Sequence, residues 1–146
     1  MVEWSSGRAR RTEATHTASA VKSFRDLIVW QKGLLIASAI YGATRSMPRE
    51  EAFGLTSQMR RAACSISLNI AEGFGQRTRP KFIPGLRTAV GSLYELMTAY
   101  QIATDLRLIM PDHAILAMLK EEDLLLSSLI AKLEAKDPPA TRRRRS

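Results

Sequence analysis

The sequence predicts an all-α protein, an antiparallel up-and-down four-helix bundle. Three observations carry that prediction. Apolar residues recur at steps of three and four through four successive segments of about 20 residues, the spacing of helices that each bury one stripe. Prolines and glycines separate those segments, and no strand-length run with period two stands beside them. Aromatic residues make up only 6% of the chain, which favours helices of leucine and alanine over a β-sandwich. At 146 residues there is room for a single core.

The first helix is expected from Asp26 to about Arg45, with its stripe at Leu27, Trp30, Leu34, Ala37 and Tyr41. Ser46-Met47-Pro48 stops it, because proline disfavours helical geometry in the preceding residue. Pro48 followed by Arg49-Glu50-Glu51 then reads as the first turn of the second helix. That helix continues through Leu55, Met59, Ala62, Ile66 and Ile70 and ends at Gly73, while Gly54 interrupts it and leaves its start open by several residues. The third carries Phe82, Leu86, Ala89, Leu93, Leu96, Tyr100 and Ala103. Pro80 suits its first turn, whereas Pro84-Gly85 predicts a kink or a later start, since an interior proline costs roughly 3 kcal/mol. Asp112 is a candidate N-cap for the fourth helix, whose stripe is Ile115, Leu119, Leu126, Leu129 and Leu133. Leu124 to Leu126 and Leu129-Ile130 widen that apolar face beyond one seam, which points to a subunit contact.

The formal charge is +8, and most of the excess lies in the two ends. Residues 1–23, rich in Ser, Thr, Ala and Arg, and residues 136–146, with prolines before Arg142–Arg145, bury too little apolar surface to offset their ordering entropy. Both are expected to be disordered, flanking a bundle domain of residues 24–135. No apolar run approaches the roughly 18 residues of a membrane span. The single cysteine excludes an internal disulfide framework and fits a reducing cytoplasm.

Three stretches go beyond generic helix. They are Phe24-Arg25-Asp26-Leu27-Ile28-Val29-Trp30-Gln31; then Gly54-Leu55-Thr56-Ser57-Gln58-Met59-Arg60-Arg61-Ala62-Ala63, running on through Ser65-Ile66 to Asn69-Ile70-Ala71-Glu72-Gly73; and Gly91-Ser92-Leu93 with Glu95. In this order they resemble the bacterial four helix bundle protein family, first found encoded in intervening sequences of large-subunit ribosomal RNA genes. The resemblance spans about residues 24–134. It implies a protomer that assembles into a ring-like homopentamer. It also implies kinship to the accessory protein of diversity-generating retroelements, a basic bundle that works with a reverse transcriptase and nucleic acid. The family has no established enzymatic activity. The chain departs from the family pattern at Ser67, at Pro84-Gly85, and in the partly kept basic run Gln76-Arg77-Thr78-Arg79-Pro80-Lys81.

Arg60, Arg61, Arg77, Arg79, Lys81 and Arg87, with Glu72 the one acid among them, give residues 60–87 a net charge of +5. Residues 105–134 carry −3. Such a basic cluster attracts the phosphates of RNA or DNA through counterion release. Opposite-charge faces also suit contacts between copies of the chain. Asn69 and Glu72 share a helix face; with no histidine or second acid at ligand spacing, they read as a brace in which Asn69 bonds across the bundle and Glu72 pairs with a base such as Arg61. Together with Trp30 and Gly73 they form the structural part of the motif. Cys64 reads as a small buried packing residue. His16 and His113 are isolated, and no metal or cofactor site is legible. Trp30, Tyr41, Tyr94 and Tyr100 are candidate base-stacking rings whose helical spacing favours core or interface. No reaction is legible in the sequence, so the expectation is a non-enzymatic protein: a nucleic-acid-binding accessory protein or a protein-interaction scaffold.

Overall fold

A computed structural model describes residues 21–136. Four helices follow in order: α1 Ile28–Thr44, α2 Leu55–Gly75, α3 Arg79–Asp105 and α4 His113–Ala135. No strand occurs among the described residues. Helices adjacent in sequence pack on one another, α4 closes back onto α1, and the backbones of the diagonal pairs stand further apart. This is the up-and-down four-helix bundle that the sequence predicts. The expected disorder of residues 1–20 and 137–146 falls outside the described residues.

Short turns and caps set the starts of α1, α2 and α4. Before α1 a 3-10 turn, Phe24–Asp26, is fixed by Ser23, whose Oγ accepts from the Arg25 amide at 3.2 Å, while Asp26 accepts from the Ser23 amide at 3.1 Å. Val21 packs against the core just ahead of it. The expected second-helix start at Pro48 is instead a separate 3-10 turn, Arg49–Glu51. α2 begins only after Gly54, with the Glu51 carboxylate accepting from the Leu55 amide at 3.0 Å. Asp112 caps α4 as expected, accepting from the Ala114 amide at 2.8 Å.

The stripes of α2 and α3 match the spacing argument, and every one of the seven residues assigned to α3 is buried. On α1 the phase is different: Val29, Gly33, Ile36, Ile40 and Thr44 face inward, while Leu34 and Tyr41 are over two-fifths exposed. The cause is visible in the sequence, because Ile28 through Tyr41 is apolar almost all round and periodicity alone cannot choose its inner face. Leu27 is buried just ahead of α1, and Trp30 is half-buried.

Close approach explains several small residues. A Cβ on Gly85 would lie 2.7 Å from the Gly73 Cα and 2.9 Å from the Asn69 carbonyl oxygen. α2 and α3 therefore touch backbone to backbone, and neither glycine can carry a side chain without moving a helix. α3 runs as one helix from Arg79 through Pro84, so the later start does not occur. Proline at that position only leaves the Pro80 carbonyl without its usual partner. On the α1 side, a Gly33 Cβ would fall 2.2 Å from Ser67 Oγ, which donates to the Trp30 carbonyl at 3.2 Å. Ser67 thus stitches α2 to α1 at close range.

Candidate nucleic-acid interface

The topology gathers the start of α1, the end of α2, the start of α3 and the end of α4 at one end of the bundle. α2 leaves its last turn through Arg77, which stands at φ +63°, with its amide donating to the Phe74 carbonyl at 3.1 Å. Glycine usually fills such a position after a helix. Thr78 is extended, and α3 begins at Arg79-Pro80. Between this junction and the turn before α1 lies a cavity of about 630 Å³, lined by Lys22, Ser23, Phe24, Phe74, Gly75, Arg77, Thr78, Arg79 and Phe82. Phe74 meets Phe82 edge to face at 5.6 Å, Phe24 meets Trp30 at 5.2 Å, and the Arg25 guanidinium lies over the Phe24 ring at 5.3 Å.

Charge at this end is strongly one-sided. Lys22, Arg25, Arg77, Arg79, Lys81 and Lys136 are all exposed. The nearby acids are mostly engaged. Asp26 accepts from the Lys22 and Ser23 amides, each at 3.1 Å. Glu134 pairs with Arg87, and Glu72 is exposed. A concave surface lined by cations and aromatic rings can attract phosphate and offer apolar ring surface together.

Of the six basic residues singled out in sequence, the fold brings three together: Arg77, Arg79 and Lys81. Arg60 and Arg61 stand near the start of α2, about 20 Å along the helix from the junction. Arg60 donates from Nε to Thr44 Oγ1 at 2.8 Å and covers the Tyr41 ring at 4.6 Å, so it serves the α1–α2 contact. Arg61 bonds Ser57 Oγ at 3.1 Å instead of Glu72. Arg87, two turns into α3, is tied to α4 through Glu134. Lys22, Phe24, Phe74 and Phe82 were not legible as site residues. Phe74 sits between two glycines that mark a helix end, and that flanking was the one available signal.

The brace motif is built differently from expectation. Asn69 Nδ2 donates to the Ser65 carbonyl and to Ser65 Oγ, both at 2.8 Å, within its own helix. Ser92 Oγ donates across from α3 to Ser65 Oγ at 2.9 Å, so the network reaches the neighbouring helix through a serine pair. Gly73 is the α2 side of the close crossing. Trp30 packs on Phe24 and offers its carbonyl to Ser67. Tyr100 is core, its hydroxyl accepting from the Asp112 amide at 2.8 Å, and Tyr94 donates to Asp123 at 2.9 Å. Cys64 is half-buried, not buried, with its Sγ 4.0 Å from the Tyr41 hydroxyl; His113 is exposed.

The acidic half of the chain is less of a charged face than its composition suggests. Glu121 pairs with Lys32 of α1 at 2.8 Å. Glu122 is completely buried, and neither carboxylate oxygen has a hydrogen-bond partner. Desolvation raises its pKa to about 8, against the opposing pull of Lys32 and with a smaller push from Glu121. Its register, three after Leu119 and four before Leu126, places it in the middle of the inner stripe. Among the described residues no group of three or more His, Cys, Asp or Glu side chains could hold a metal ion. No helix among them is long and apolar enough to cross a membrane.

The fold and this end of it define a small helical-bundle protein with one basic, aromatic-walled end. The chain belongs to the family described as 23S rRNA-intervening sequence protein, whose profile it matches over residues 25–128. No curated protein matches it. The family's description names a place in a ribosomal RNA gene and no reaction.

Proposed function

We propose that this chain is a non-enzymatic, cytoplasmic accessory protein that binds RNA or DNA through the end of the bundle where α2 passes into α3. The observation that carries the reading is the convergence of Lys22, Arg77 and Arg79 on the lining of one cavity, with Lys81 exposed on the first turn of α3 beside it. Phosphates drawn there release counterions, so affinity falls as salt rises. Fluorescence anisotropy of a labelled structured RNA, titrated at two salt concentrations, tests it. The full chain binds, and the triple variant Lys22→Glu, Arg77→Glu, Lys81→Glu binds at least tenfold more weakly with a shallower salt dependence. Unchanged affinity and slope in that variant overturn the reading. A reverse transcriptase as protein partner, implied by the resemblance, belongs to the same proposal.

A second reading is favoured by a separate observation. An apolar groove of about 770 Å³ runs along α2 and α3 at the opposite end, lined in part by Phe53, Leu55, Tyr94, Ala99 and Ile102, with Phe53 fully exposed. Exposed apolar surface of this kind marks an interaction site. We take it as a contact between copies of the chain in a homo-oligomer, a pentamer by the resemblance. Light scattering after size-exclusion chromatography checks this: the native chain runs at five times its monomer mass, and Ile102→Glu lowers that number. A chain that stays monomeric at all concentrations contradicts it.

A further inference from the structure

The cavity at the basic end has a shape and a lining that the attraction of phosphates alone leaves unexplained. A duplex backbone needs only cations on a convex or flat surface, and its bases are stacked out of reach. Here Lys22, Arg77 and Arg79 line a concave space of about 630 Å³, within the roughly 300–1,000 Å³ range of small-ligand pockets. Three phenylalanines form much of its wall, and two of them, Phe24 and Phe74, are only half-buried. Partly exposed rings beside cations are what an unstacked base requires, because every base can lay its π-face on an aromatic side chain.

The backbone adds a second, independent observation. Arg77 holds the left-handed conformation at φ +63° where glycine would be relaxed. Arg77 and Lys22, the latter just ahead of the turn before α1, both line the cavity. Arg107 ends α3 in a matching conformation, φ +57°, but at the far end of the bundle and outside this cavity. The two arginines therefore share their backbone geometry and differ in surroundings.

Resting on the proposal that this end binds nucleic acid, we infer that the cavity takes one unpaired nucleotide, its base against Phe74 and its phosphate between Lys22 and Arg77. The ligand class is thus a single-stranded segment or end, not uninterrupted duplex. The test uses the full chain and two labelled RNA duplexes, each annealed from two strands, one blunt and one carrying four unpaired adenosines at a 3′ end. The overhang binds about tenfold tighter, as one base–aromatic stack allows. Phe74→Leu, which keeps apolar volume and removes the ring, brings the overhang down to the blunt value of the same variant. Arg77→Gly weakens the overhang several-fold, whereas Arg107→Gly, which relaxes the same backbone strain, does not alter binding. 2-Aminopurine placed in the overhang is quenched on binding the native chain and not the Phe74→Leu variant. Displacement of the overhang, but not of the blunt duplex, by millimolar adenosine monophosphate supports the pocket and shows that a free nucleotide also fits it. Equal affinity for both duplexes, still falling with salt, overturns this inference and leaves the backbone-binding proposal standing. Absence of binding to either at low salt removes both.

Discussion

Three residues carry more consequence than their neighbours. Gly85 and Gly91 both lie in α3, and their surroundings decide opposite outcomes. A methyl at Gly85 meets backbone at under 3 Å, whereas one at Gly91 meets nothing within 4 Å. Alanine gains about 1 kcal/mol of helix propensity at either place. At Gly85 an overpacking cost of about 1–3 kcal/mol, here against rigid main chain, outweighs that gain. Gly85→Ala is expected to lower, and Gly91→Ala to raise, the urea midpoint of unfolding. Glu122 gives a pH prediction. Its folded pKa, about 8, stands above the ordinary value of 4.5, so the folded state holds the proton more tightly than the unfolded chain. Stability contributed in this way is present in full below the unfolded value and is lost progressively as pH rises toward 8, by at most about 5 kcal/mol. Denaturant unfolding at pH 5 and pH 8 measures the loss, and Glu122→Gln flattens it. The sequence signalled this residue weakly: its register puts it among buried leucines, but its charge and the acids Glu121 and Asp123 on either side of it made a solvated face the simpler reading.

Elements were legible in proportion to how uneven their faces are. α2 and α3 alternate apolar and polar residues strongly, so spacing found their buried stripes directly. α1 is apolar on several sides, and its inner face is chosen by something spacing cannot see, the fit of Gly33 against Ser67. The turn at Arg49–Glu51 was hidden for a related reason, since Pro48 with two acids reads like any helix start. Pro84 shows the limit of propensity from the other direction. The close Gly73–Gly85 approach and the buried run from Phe82 to Ala103 keep α3 helical through a residue that a lone helix would avoid. Pro84→Ala restores one backbone hydrogen bond to the Pro80 carbonyl, offset in part by a freer unfolded chain. A gain of about 1 kcal/mol is expected in thermal unfolding, with helical circular dichroism unchanged.

At the scale of the whole molecule, charge follows topology more than sequence. The six basic residues that look contiguous between 60 and 87 are divided by the length of α2. Lys22 joins Arg77, Arg79 and Lys81 from more than 50 positions away. This was unreadable in one dimension because it depends on the direction of each helix. It also sharpens the salt test, since every phosphate that the protein no longer neutralises lowers the slope by about 0.7–0.9. Reversing Lys22, Arg77 and Lys81 therefore reduces the slope by about two to three, while reversing Arg61 at the other end leaves it in place.

An even number of antiparallel helices brings Val21 and Lys136 back to the same end, on neighbouring helices whose axes lie about 10 Å apart. A version of the protein cut to residues 21–136 is thus a candidate for circular permutation. A short linker from Lys136 to Val21, with new ends opened in the loop between α3 and α4, keeps every helix pair and their order around the square. It also moves any fused reporter or tether to the far end, away from the basic cavity, so binding could be followed without a label crowding the surface under study.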